Sequence, residues 1–191
     1  MPMYELKNFE SILGNGVLSD ELLKGHFGLY EGYVKNTNGA LDIMKKEEGI
    51  YEFGEVSRRF GWEWNGMRLH ELYFSNMMKG GSELEKGSDL YKKIEEDFGS
   101  YENWEKNFKA KASMRGIGWV ILYLDKESGK LFNTWINEHD GGHLSGAEPL
   151  LVLDVFEHAF MPAGLKKPDY IEAFFGLICW HVVSGRYNLG K

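Results

Sequence analysis

A chain of 191 residues, 43% hydrophobic and 15% aromatic with only 4 prolines, is long and apolar enough to bury a core, which excludes a disordered or collagen-like polypeptide. With 22 Lys and Arg against 29 Asp and Glu the formal net charge is −7, and no basic run is present to follow a phosphate backbone, so nucleic acid is not an expected partner. The longest strongly apolar stretch, Gly176 to Val183, is far too short to span a bilayer, and Met1-Pro2-Met3-Tyr4-Glu5 has neither the basic nor the apolar region of an export leader. Together with the single Cys179 these features lead us to expect a cytoplasmic protein with no membrane partner.

Ser19 followed by Asp20 and Glu21 marks a helix start, and Leu22, Leu23, Tyr30, Tyr33 and Val34 recur at helical spacing up to an expected turn around Gly39. After the charged segment Lys45 to Gly49, a second helical pattern runs from about Val56 to Met78 with Leu69, Tyr73, Phe74 and Met77, so the pair reads as an antiparallel helical hairpin. Lys79-Gly80-Gly81-Ser82 breaks the pattern, and we place a domain boundary there: residues 1–81 form an N-terminal helical hairpin domain and residues 82–191 a C-terminal α+β domain. Tyr91 to Phe98 and Tyr101 to Met114 read as short amphipathic helices. Gly116 to Leu124 and Lys130 to Asn137 then form an antiparallel β-hairpin about the turn Asp125-Lys126-Glu127-Ser128-Gly129, and Pro149 to Asp154 is a third strand. Pro168-Asp169 opens a last helix, roughly Tyr170 to Val183. The fold class is α+β, with a small antiparallel sheet.

The most informative local signal is the run Leu150 to Phe160, in which Asp154 closes an apolar strand. A carboxylate there carries a heavy desolvation penalty unless a cation or donor meets it. His158 lies four residues on, within reach of the same partner if the chain turns helical. By itself Asp-x-x-x-His reads sooner as a buried ion pair or a helix N-cap than as a metal site. Two further histidines change the balance: His26 lies on the face of Leu22, Tyr30 and Tyr33, and His70 on the face of Gly66, Tyr73, Phe74 and Met77, so both imidazoles are expected to point inward. Three neutral imidazoles and one carboxylate suit iron or manganese above magnesium or calcium, with zinc also permitted by ligand type.

The run Pro149-Leu150-Leu151-Val152-Leu153-Asp154-Val155-Phe156-Glu157-His158-Ala159-Phe160 closely resembles the signature of the iron/manganese superoxide dismutases. The order of His26, His70, Gly116-Ile117-Gly118-Trp119, Asp154, His158 and Pro168-Asp169-Tyr170 extends that resemblance over nearly the whole chain. The resemblance implies one iron or manganese ion per subunit, held between the two domains by His26, His70, Asp154 and His158 with solvent as a fifth ligand, and superoxide as the substrate, converted to dioxygen and hydrogen peroxide. It implies Tyr33 as the gateway tyrosine. Glu157 becomes a carboxylate that crosses to the partner's metal-binding histidine, which makes the protein a homodimer or a tetramer. Trp119 becomes an aromatic of the site wall and Lys166 a cation of the substrate funnel. Family members hold the bound solvent with glutamine from one of two places, or histidine at the second; this chain has no glutamine, Gly66 fills the first place, and His139 in Asn137-Glu138-His139-Asp140 is the expected donor. His143 and His181 carry no such match and read as structural.

The chain departs from the common pattern in several places. It has one residue fewer between His26 and Tyr33, implying a first helix without the usual bulge, and Leu29 and Met161 stand where a hydrogen-bonded pair is usual. Phe156 replaces a tryptophan and Leu69 an asparagine. The alternative these departures leave open is a dismutase-fold protein that binds metal or dimerises with little turnover.

Overall fold

The computed structural model describes residues 4–45 and 51–190. The N-terminal residues 1–3, and the charged segment expected between the first two helices from residue 46 onward, lie outside the described residues.

Helix α1 spans Asp20–Met44, with the Ser19 hydroxyl accepting from the Leu22 amide, and α2 spans Tyr51–Ser75. The expected turn at Gly39 is not there. Helix α1 continues through it because Thr37, Asn38 and Ala40 are buried and the Asn38 amide bonds both the N–H and the C=O of Tyr4. That tertiary contact outweighs the roughly 1 kcal/mol that a mid-helix glycine costs. Helix α2 likewise starts before Val56 and stops short of Met78, because the next residue, Asn76, turns its amide to the Val152 backbone, accepting at 2.9 Å and donating at 3.3 Å.

Helices α3 (Asp89–Phe98) and α4 (Tyr101–Ala112) follow, joined by Gly99 in the left-handed region at φ 83°. Strands β1 (Gly118–Asp125), β2 (Leu131–Asn137) and β3 (Ala147–Asp154) form one antiparallel sheet in the order β2-β1-β3. The unbroken apolar run of β1 is explained by its central place, with Trp119 to Leu124 all buried. Trp119 pairs with both Ile136 and Asp154, so the sheet's middle strand meets the strand end that carries the carboxylate.

Beyond β3 the chain makes two short 3₁₀ turns, Glu157–Ala159 and Met161–Ala163. The expected last helix is two: α5 (Lys167–Phe175) and α6 (Trp180–Gly190). It breaks because Leu177, Ile178 and Cys179 give their backbone groups to Met78, Ser82 and Asn76 at 2.8, 2.9 and 2.8 Å, tying the C-terminal segment to the end of α2. Arg186 on α6 reinforces that tie, donating to the carbonyls of Leu150 and Leu72 at 2.7 and 3.0 Å and to the Ser75 hydroxyl at 2.6 Å. Arg186→Ala strands these acceptors and is expected to cost about 3 kcal/mol in urea unfolding, with Arg186→Lys recovering only part because one ammonium cannot reproduce the fork. Unchanged stability would show that the clasp is not holding α2 to the sheet.

Candidate metal centre

Four side chains from three parts of the chain converge at the junction of α1, α2 and the sheet. His26 comes from α1, His70 from α2, Asp154 from the end of β3 and His158 from the following 3₁₀ turn. One ligand-type atom of each lies within 4.8 Å of every other. The Asp154 Oδ2 stands 3.2 Å from His26 Nε2, 3.1 Å from His158 Nε2 and 3.7 Å from His70 Nε2. Asp154 and His158 do not meet on a helix face, as their spacing suggested. The chain leaves β3 extended through Phe156, whose N–H donates to Asp154 Oδ1 at 2.8 Å, and only then turns.

The donor chemistry of the cluster is set by its neighbours. His70 Nδ1 lies 2.6 Å from the Gly66 carbonyl, which can only accept, so Nδ1 carries the proton and Nε2 is left with a lone pair. That Nε2 is buried and has no hydrogen-bond partner. A buried acceptor facing a carboxylate and two imidazoles is unfavourable on its own and is satisfied by a cation at the centre. Burial lowers the pKa of His26, against the opposing pull of Asp154, and burial followed by the nearby His26 lowers His70 further, so both rings are neutral donors. Burial alone would raise the Asp154 carboxyl, but the His158 and His26 imidazoles more than offset it and hold it well below the usual carboxylate range. His158 is shifted up by Asp154 despite its own desolvation.

Aromatic residues close the pocket. Tyr33 stacks on His70 at 5.2 Å between ring centroids, and Trp119 meets His70 edge-on at 5.0 Å. His139 lies behind them, fully buried, with Phe156 stacked on it at 4.7 Å. Trp119 Nε1–H donates to His139 Nδ1 at 3.0 Å, so neutral His139 carries its proton on Nε2, which stands 2.7 Å from the Tyr33 hydroxyl. The Tyr33 oxygen therefore accepts from His139 and keeps its own O–H free to donate. Burial pushes the His139 pKa down to about 4 and the Tyr33 pKa up to about 12, which fixes both groups in these roles at neutral pH.

The single N–H of His139, expected to hold a solvent ligand, is directed to Tyr33 instead. Glu157 is exposed, as are Leu29 at 42% and Met161 at 56%. Lys166 is an exposed residue at the start of α5. The cation whose charge bears on both Tyr33 and His139 is Arg59, which the sequence reading passed over. Its guanidinium lies 4.4 Å above the Trp62 ring and bonds Glu63 at 2.9 Å, and Trp62 in turn meets His139 at 4.7 Å. Spacing could have found both residues: eleven and eight residues before His70 are about three and two helical turns, on the same face of α2.

Known proteins give the same picture. Residues 85–186 match the family described as iron/manganese superoxide dismutases, C-terminal domain. The chain is 35% identical over 176 residues to a superoxide dismutase [Mn] of Haloferax volcanii, covering 90% of this chain and 87% of the relative. It is 36% identical over 182 residues to a superoxide dismutase [Fe] of Aquifex pyrophilus, covering 90% and 84%, and 34% identical over 178 residues to one of Cupriavidus metallidurans, covering 89% and 88%. With matches of this length on a helical N-terminal region, a three-stranded C-terminal sheet and a buried cluster of three histidines and an aspartate, the chain belongs to the iron/manganese superoxide dismutase family.

Proposed function

We propose that His26, His70, Asp154 and His158 hold one iron or manganese ion and that the chain disproportionates superoxide at that centre. The observation that carries the reading is the orphaned lone pair of His70 Nε2, aimed into a buried cluster whose only anion is Asp154. Imidazole and carboxylate together suit a redox-active first-row ion. Such an ion supplies one-electron transfer in both directions, so that one superoxide leaves as dioxygen and a second, with two protons, as hydrogen peroxide.

The protein's own part is binding, exclusion and proton delivery. Tyr33, Trp119 and Phe156 wall the cluster from bulk water, and the free O–H of Tyr33, its oxygen held by His139 Nε2–H, donates a proton toward the pocket. A net charge of −7 repels an anionic substrate, so capture depends on local positive potential, for which Arg59 is placed. Arg59→Glu is expected to lower kcat/KM by about 3- to 10-fold at low ionic strength, with the deficit shrinking as salt screens it, whereas the same change at exposed Arg58 has a smaller effect. A deficit that does not respond to salt would remove Arg59 from substrate capture.

The boundary at residue 81 is part of this proposal. Gly80 and Gly81, both at positive φ, separate the segment that brings His26, Tyr33 and His70 from the segment that brings His139, Asp154 and His158. We also read the protein as a homodimer in a reducing, cytoplasmic compartment. Exposed Leu29 and Met161 and the outward Glu157 beside His158 support pairing with a second copy, and the lone cysteine supports the compartment. No helix among the described residues is long and apolar enough to cross a membrane.

The test is superoxide consumption per bound ion, on protein loaded separately with iron and with manganese. Consumption with either metal is the expected result; stoichiometric metal without consumption would leave a dismutase-fold metal-binding protein instead. Light scattering of the same samples decides the dimer.

A further inference from the structure

His139 sits in a loop, unlike the cluster residues it serves. The loop is tightly made: Glu138 is left-handed at φ 52° and donates its N–H to the Ile117 carbonyl at 3.0 Å, while Asn137 and Gly141 exchange backbone hydrogen bonds at 2.7 and 3.0 Å. Within it the His139 carbonyl has its own donor, His143 Nε2, at 2.9 Å. On the other side of the same ring, His143 Nδ1 lies 2.7 Å from the Tyr123 hydroxyl.

Chemistry fixes the direction of this chain. A carbonyl only accepts, so the His143 proton is on Nε2; the neutral ring then offers a lone pair at Nδ1, to which Tyr123 O–H donates. Tyr123 is 3% exposed, and burial raises its pKa, so its hydroxyl stays protonated. Trp119, which holds the ring of His139, and Tyr123, which holds its backbone through His143, both belong to β1. They stand four residues apart, on the same face of a strand whose register with β2 is continuous; the irregularity of the sheet lies on β3, where Leu150 is passed over. One central strand thus grips His139 at two points.

We infer that His143 is the positioning residue for His139, transmitting the rigidity of β1 to the backbone of the loop and so fixing where His139 Nε2–H meets Tyr33 beside the metal pocket. The inference rests on the dismutase reading of that pocket. His143 is suited to the task because one planar ring offers a donor and an acceptor at once. Glutamine offers the same pair; phenylalanine fills the space and offers neither. Hydrogen-bonding partners of metal ligands typically change a site's properties by 10- to 100-fold when lost, and His143, which acts on the pocket through His139 and Tyr33, is expected at the lower end.

The experiment compares the unmodified protein with His143→Phe, His143→Gln and, as a surface control, His181→Gln, all loaded with the same metal. His143→Phe is expected to bind a full complement of ion but to lose about 10-fold in kcat, with a smaller change in KM, and to shift the reduction potential of the centre. Ring ¹⁵N spectra of the metal-free protein are expected to show His139 as one Nε2–H tautomer in the unmodified chain and as a mixture in His143→Phe. His143→Gln restores most of each property, and His181→Gln changes none. A His143→Phe protein that keeps the single tautomer, the potential and kcat would overturn the inference. Should that variant fail to fold, Tyr123→Phe removes one hydroxyl from the same chain and must produce the same changes at smaller size, and their absence would overturn the inference equally. If the unmodified protein consumes no superoxide, the dismutase reading fails, while the tautomer spectra still decide the role of His143.

Discussion

Asp154→Ala is expected to abolish metal retention, lowering affinity by more than about 100-fold and taking superoxide consumption with it. Asp154 is the one anion of the cluster, 0% exposed, and its Oδ2 is the atom that faces all three imidazoles. Removing it leaves neutral donors alone and a cavity where the carboxylate stood. Two measurements check this. Metal content after dialysis should fall to near zero, and the stabilisation that added metal gives the unmodified protein, about 4 kcal/mol when the ion is at 1,000 times its Kd, should vanish from the melting curve. Asp154→Asn separates shape from charge: it can still accept from the Phe156 N–H, so it is expected to fold normally and yet bind weakly. Full metal content in either variant would show that the ion sits elsewhere.

The second large effect is expected at a residue with no side chain. A Cβ on Gly66 would stand 2.5 to 2.9 Å from three ring atoms of Tyr33, much closer than carbon atoms approach. The tyrosine ring cannot slide away freely, because it is stacked on His70 and its hydroxyl is bonded to His139. The Gly66 carbonyl is also the acceptor that fixes the tautomer of His70. Gly66→Ala is therefore expected to bind metal, lose about 1–3 kcal/mol of stability by overpacking and lose more than about 10-fold in kcat as Tyr33 is displaced from the pocket. Activity and Tyr33 solvent exposure, followed by ultraviolet difference spectra, should change together. An active Gly66→Ala protein would show that the position of Tyr33 does not matter to turnover.

What could be read from the sequence was what repeats locally or carries a distinctive run. Ser19 at a helix start, the period of α1 and α2, the apolar run of β1 and the turn after Asp125 all act within a few residues, and each element was expected near its place. His26, His70, Asp154 and His158 were singled out because a polar group on an apolar face must have a reason to be there, and the structure brings all four together. What could not be read depends on partners far away in the chain. Gly39 stays helical because Asn38 bonds to Tyr4, 34 residues earlier. The last helix divides because Cys179 gives its N–H to Asn76. The fit of Gly66 to Tyr33 and the link from Tyr123 through His143 are contacts between elements, which no periodicity encodes.

The burial of the cluster has a thermodynamic consequence. His26 and Asp154 are 128 residues apart in the chain, and His26, His70 and Asp154 are each 2% exposed or less. No such arrangement of donors exists in an unfolded chain, so the site is created by folding. His158 alone of the four reaches the surface, its side chain 23% exposed, while the Arg186 clasp and the Asn76 contacts hold α2 to the sheet. A site assembled only by folding ties the affinity for an ion to the stability of the fold, so a change that loosens the Arg186 clasp would weaken metal binding without touching a ligand.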